Sequence, residues 1–182
     1  MANNYIQGTV APMLPLQHHH LAVMSLLQEH GEALPPGLDM IDDKIVVADA
    51  EEWTFSVWEA YAENVDMEKV LEGLRSIHTQ RGGSFFNLHW EDCGNGTYYL
   101  FAEDGLEDTD LCFLQWVIKD MPPEIGWISC EFASYCSKLR PGEFGGGAWF
   151  ITRQDTETMF TGSWLYEQQV RLLEAGGVGG QS

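Results

Sequence analysis

Basic residues are scarce in this chain. Nine lysines and arginines stand against 28 aspartates and glutamates in 182 residues, a formal charge of −19. A folded body with that field repels phosphate backbones and anionic lipid, which excludes direct nucleic-acid or membrane-surface binding as its main role. Also missing is any apolar run of the roughly 20 residues that a membrane-crossing helix needs. The start is polar and free of basic residues, so it does not read as a secretory signal. Cysteine is limited to Cys93, Cys112, Cys130 and Cys136, with no C-x-x-C pair. These read as reduced, mostly buried thiols, and the expected compartment is the cytoplasm of a host cell. No G-x-x-x-x-G-K, G-x-G-x-x-G or G-x-S-x-G is present, so neither a phosphate-binding loop nor a nucleophile elbow announces itself.

What is present is unevenly placed. The first 28 residues carry no charged side chain. Residues 29–131 hold 23 acids and five bases, a net of −18, and residues 132–182 hold five acids and four bases, a net of −1. Apolar residues make up 45% of the chain and aromatics 12%, enough for one well-filled core. A single domain over residues 17–175 is expected, with a flexible arm at 1–16, where Pro12 and Pro15 interrupt any periodicity, and a flexible tail at 176–182.

Periodicity sketches the domain. Leu21, Met24 and Leu27 predict a helix from Gln17 to His30, ended by Gly31 and Pro35-Pro36-Gly37. Lys44 to Ala48 reads as a strand, and so does Trp53 to Tyr61, where Trp53, Phe55 and Val57 alternate with Thr54 and Ser56. Asp66 caps a helix to about Thr79 with Val70, Leu74 and Ile77 on one stripe. Strands Ser84–Trp90 and Thr97–Ala102 flank Asn95-Gly96, a strong hairpin signal. A helix from Asp108 or Thr109 ends at Pro122-Pro123. Strands Trp127–Phe132 and Ala148–Thr152 follow, and a last helix runs from Thr161 to Gly176. The order is a helix, then strand-strand-helix three times. It predicts an α+β fold with a mostly antiparallel sheet of about six strands and helices packed on one face.

Few constellations suggest chemistry. His18-His19-His20 sits at a helix start, where neighbouring side chains diverge by about 100° and three in a row cannot face one metal. His89, Glu91 and Asp92, with Cys93, put an imidazole, two carboxylates and a thiol in five residues, and His89 and Glu91 would share one strand face. Lys138, Arg140 and Arg153 flank Gly145-Gly146-Gly147, but a plain turn explains the glycines better than a phosphate cradle. No metal or cofactor is expected. The acids are the larger feature: Asp42, Asp43, Glu51 and Glu52 early, then Glu91, Asp92, Glu103, Asp104, Glu107, Asp108 and Asp110 around one hairpin and helix start. Helix-dipole pairing uses one or two acids per helix, not seven in one place.

Gly82-Gly83-Ser84-Phe85-Phe86 with Asn95-Gly96-Thr97-Tyr98-Tyr99 resembles the hairpin of plasmid-borne antirestriction proteins of the KlcA type. Cys136-Ser137-Lys138-Leu139-Arg140-Pro141 with Phe144-Gly145-Gly146-Gly147 is similar to small phage proteins of unknown function. The resemblance implies a mobile-element protein that inhibits host restriction or CRISPR machinery. The leading expectation is therefore a non-enzymatic inhibitor. Its acids, arrayed as one continuous plate, would occupy the basic surface of a host nucleic-acid-binding complex in place of phosphates. Two other readings stay open. One is a small metal-dependent enzyme built on His89, Glu91 and Asp92. The other is an interaction protein that acts as a homodimer through aromatics such as Trp53, Trp58, Tyr98 and Trp127.

Overall fold

A computed structural model describes residues 4–31, 33–61, 65–78, 85–103, 105–136 and 145–177. The architecture is α+β: a six-stranded antiparallel sheet, five helices and a separate two-stranded hairpin. The elements are β1 (Asn4–Ala11), α1 (His18–His30), β2 (Leu38–Ile41), β3 (Lys44–Val47), α2 (Ala50–Ala60), α3 (Met67–His78), β4 (Leu88–Asp92), β5 (Tyr98–Ala102), α4 (Asp108–Asp120), β6 (Trp127–Cys136), β7 (Gly145–Thr152), β8 (Thr156–Phe160) and α5 (Thr161–Gly177). The large sheet runs β4-β5-β1-β6-β7-β8.

The first residues are not a loose arm. Asn4–Ala11 is a central strand of the sheet, with Thr9 opposite Phe101 on one side and Glu131 on the other. Its partners lie about a hundred residues away in sequence, so no local pattern reports the pairing. After Pro12, Leu14 exchanges backbone hydrogen bonds with Tyr98 (2.9 and 2.8 Å) and is fully buried. α1 buries Leu21, Ala22, Val23, Met24, Leu26 and Leu27, so a charge at those positions would be desolvated without a partner.

Trp53 to Tyr61 is helix α2, not a strand. Asp49 caps it, its carboxylate accepting from the backbone N–H of Glu51 and Glu52 at 3.0 Å. Burial falls on Trp53, Ser56 and Val57, a helical spacing, while Phe55 faces solvent. The apparent alternation arose because a solvent-facing Phe55 imitated a core residue. Ahead of it, β2 and β3 form a tight hairpin whose two turn residues, Asp42 and Asp43, both take positive φ (49° and 58°). Gly37 holds the entry to α2: a Cβ there would lie 2.2 Å from the backbone nitrogen of Trp53.

The six-stranded sheet therefore has a different membership from the expected one. β1 and β8 belong to it, whereas Lys44–Val47 and the Trp53 segment do not. Its inner face presents Leu88, Leu100, Val10, Cys130, Ile128 and Ile151 to one core shared with α1, α3 and α4. Gly73 lets α3 approach α4 closely, since a Cβ there would meet the Trp116 ring at 2.7 Å. Among the described residues no helix is long and apolar enough to cross a membrane.

Candidate functional site: the open face of the sheet

Strand alternation decides which side chains the helices leave uncovered. On β5, Leu100 and Ala102 point inward, so Tyr99, Phe101 and the following Glu103 point outward. On β4 the outward pair is His89 and Glu91. Register then sets His89, Phe101, Thr9 and Glu131 in one cross-strand row, and Glu91 and Tyr99 in the next. The rings form a tier: His89 stacks on Phe101 with centroids 5.6 Å apart, and Phe101 stacks on Tyr99 at 5.8 Å. Gln7, Thr9, Glu91, Tyr99, Phe101 and Glu103 line an open depression of about 320 Å³ on this face.

None of the six strands contains lysine or arginine, whereas Glu91, Asp92, Glu131 and Glu157 lie within them. The open face is thus aromatic and negative. Half-buried rings bordered by carboxylates suit a cation, above all a planar guanidinium, which can stack and hydrogen-bond at once.

The expected acids do not form one plate. Glu91 and Glu103 belong to the open face. Asp42 and Asp43 lie at the tip of the β2–β3 hairpin, and Glu51 and Glu52 lie in the first turn of α2. These last four sit on the helical side: β3 packs on α3, where Arg75 Nε donates to the Ile45 carbonyl (2.9 Å), and α2 packs on α1. Alternation and helix packing thus send the two groups to opposite sides of the molecule. Asp92 closes the β4–β5 turn by accepting from the Gly94 N–H at 2.7 Å. Glu107 and Asp108 occupy the exposed start of α4, with Glu107 as its cap. Asp104 lies outside the described residues.

Asp110 is not a surface acid. It is fully buried and accepts three backbone N–H bonds, from Asn87 (2.8 Å), Leu88 (3.0 Å) and Glu107 (2.8 Å). It ties the start of β4 to the start of α4. Burial pushes its carboxyl up to about 6 against the pull of those three donors.

The His89 group does not assemble a metal centre. His89 lies flat on Phe101, and Asp92 is spent on its turn. Among the described residues, the trio close enough to share a metal is instead His19, His20 and Asp120. His19 and His20 are sequence neighbours, yet both reach Asp120 Oδ2, at 2.8 and 3.3 Å, while Lys69 Nζ donates to Oδ1. The expectation that adjacent histidines diverge fails for this pair, because their rings fold together beside Trp116.

A metal does not fit the trio as built. The Gln17 N–H donates to His20 Nδ1 (3.0 Å), so the neutral ring keeps its proton on Nε2, the atom a metal would need. Burial drives His20 down to about 3, which keeps that ring neutral. Burial alone would raise the Asp120 carboxyl, but the hydrogen bonds from Lys69 and His19 outweigh it and hold the group below its ordinary value. The cluster reads as a polar clasp joining α1, α3 and α4.

Of the basic cluster, Arg153 is spent inside the fold. Arg153 donates to the carbonyls of Ile118 (3.1 Å), Met121 (2.6 Å) and Pro122 (2.9 Å), closing the C-terminal end of α4. Lys138 and Arg140 lie outside the described residues. Gly145–Gly147 are not a turn but the start of β7. A Cβ on Gly147 would lie 2.3 Å from the Met159 carbonyl oxygen and 2.7 Å from the Phe132 ring.

No protein-family model, curated protein or solved structure matches this chain. The geometry alone defines the class it falls in: an acidic α+β protein with one sheet face left open among the described residues.

Proposed function

We propose that this protein is a non-enzymatic binder of basic protein surfaces and that it works through the open face of the sheet. The carrying observation is the pairing of Glu91 and Glu103 around the ring tier of His89, Phe101 and Tyr99, on and beside strands that hold no lysine or arginine. An arginine side chain that enters the depression stacks on a ring and reaches a carboxylate. Each such contact is worth about 0.5–2 kcal/mol, depending on how far it is desolvated. Surfaces rich in arginine are those that hold nucleic-acid phosphates, so the proposed target is the phosphate-binding surface of a host nucleic-acid-binding complex, such as a restriction or CRISPR effector. Glu131 extends the same negative surface across β6.

Oligo-arginine and oligo-lysine peptides titrated calorimetrically provide the test. Arginine should bind more tightly than lysine, and both should weaken steeply as salt rises. Glu91→Lys with Glu103→Lys should abolish binding, whereas Asp42→Lys with Asp43→Lys on the helical side should leave most of it. Equal loss from both pairs would leave only unspecific charge attraction and remove the site.

A further inference from the structure

We propose that the chain pairs with a second copy of itself through the edge strand β8 and the start of α5. This contact is independent of the open-face reading. The two edges of the sheet differ in kind. β4 ends in Glu91 and Asp92, and Gln28 Nε2 from α1 covers its Leu88 carbonyl at 2.8 Å. Charge and cover of this sort keep an edge from pairing with another chain. β8, TETMF, has one charged residue, Glu157, and neither lysine nor proline, and among the described residues it pairs with β7 alone.

The adjoining surface is apolar. Met159, Phe160, Trp164, Leu165 and Tyr166 are each about half exposed or more (48–67%). Helix α5 follows β8 with no linking residue. It is anchored at its first residue, where Gly146 N–H donates to Thr161 Oγ1 (3.1 Å) and that hydroxyl donates back to the Gly146 carbonyl (2.8 Å). Beyond that anchor every side chain from Ser163 to Glu167 is exposed. A helix start carrying tryptophan, leucine and tyrosine toward water is the composition of an interface anchor.

Charge identifies the occupant. Residues 29–131 hold a net of −18 and residues 132–182 a net of −1. A basic partner is drawn to the former. β7, β8 and α5 themselves hold Glu157, Glu167, Glu174 and Arg171, so a second copy, itself strongly acidic, meets far less repulsion there than over residues 29–131. Strand β8 also suits two-fold pairing. With the axis at Thr158, antiparallel β8 strands set Glu157 opposite Met159 and Thr156 opposite Phe160, so the two Glu157 carboxylates do not face each other. The product is one sheet continuous across both copies, with both open faces free.

Sedimentation velocity of the full chain up to about 100 µM tests this, since mass action favours the dimer with concentration. A dimer should form, and it should tighten as salt screens the residual repulsion, opposite in sign to the salt response of oligo-arginine binding. Met159→Lys on the edge and Leu165→Glu on the helix should each weaken association by roughly tenfold or more. Both sites are exposed, so circular dichroism should stay unchanged, and oligo-arginine binding should survive in both variants. A monomer at the highest concentration in about 0.5 M salt overturns the proposal. So does a dimer that both variants leave intact.

Discussion

Asp110 shows how a single acid can be misassigned when only its neighbours in sequence are known. It sits among six other carboxylates along the chain, yet its oxygens are consumed by three backbone donors in the interior. Asparagine at this position would turn an amide N–H₂ toward at least one of those donors. Asp110→Asn should therefore lose about 1–3 kcal/mol of stability, measurable by urea denaturation. The pH response follows from the direction of the shift. Its folded value, about 6, lies above its ordinary 3.8, so the folded state holds the proton more tightly. The stabilisation is complete below the ordinary value and is lost as pH climbs through the folded one. Asp110's share of the stability should therefore fall between about pH 4 and pH 6.5, read as a shrinking difference between wild type and Asp110→Asn, because His20, held neutral with a folded value of about 3, makes its own share rise over the same range. Around Asp110 the three backbone donors pull against burial, the Glu107 carboxylate pushes with it, and the Cys130 thiol, raised by burial to about 12, stays neutral throughout. A difference between wild type and Asp110→Asn that stays constant over that range would count against this account of the buried carboxyl.

At the scale of elements, contacts between helices fix the layer under the sheet. Gly73 on α3 is filled by the Trp116 ring of α4, and the clasp of Lys69, His19 and Asp120 locks the same pair of helices to α1. Gly73→Val should force Trp116 out of place and destabilise the fold by about 1–3 kcal/mol, with a shift in tryptophan emission as the reporter. Loss of stability without any emission change would place the strain elsewhere. Helices α1, α3 and α4 were legible because their apolar stripes repeat at helical spacing, and β4–β5 because Asn95-Gly96 marks its turn. β1 was not legible because its partners lie far along the chain, and α2 was not because exposed Phe55 completed a false alternation.

The charge of the whole molecule acts on the folded state as well as on partners. The chain carries a net of −19, and Lys69–Asp120 is the one Lys/Arg–carboxylate bridge between described residues. Screening should relieve more repulsion than attraction, so the melting temperature should rise between about 20 and 300 mM salt. A fall would mean that favourable pairs dominate the field. The candidate site belongs to this scale too. Glu91 and Glu103 were visible in the sequence as acids, but their grouping with Phe101 and Tyr99, and their separation from Asp42, Asp43, Glu51 and Glu52, depends on which way each strand and helix faces.

Composition and short-range periodicity by themselves determined an acidic α+β chain, most of its helices, one hairpin and the near-neutral C-terminal part, because those properties need only residue identity and local spacing. The central place of β1, the edge place of β8 and the two-sided distribution of the carboxylates were decided by tertiary structure, because each depends on strand neighbours and buried faces contributed by distant parts of the chain.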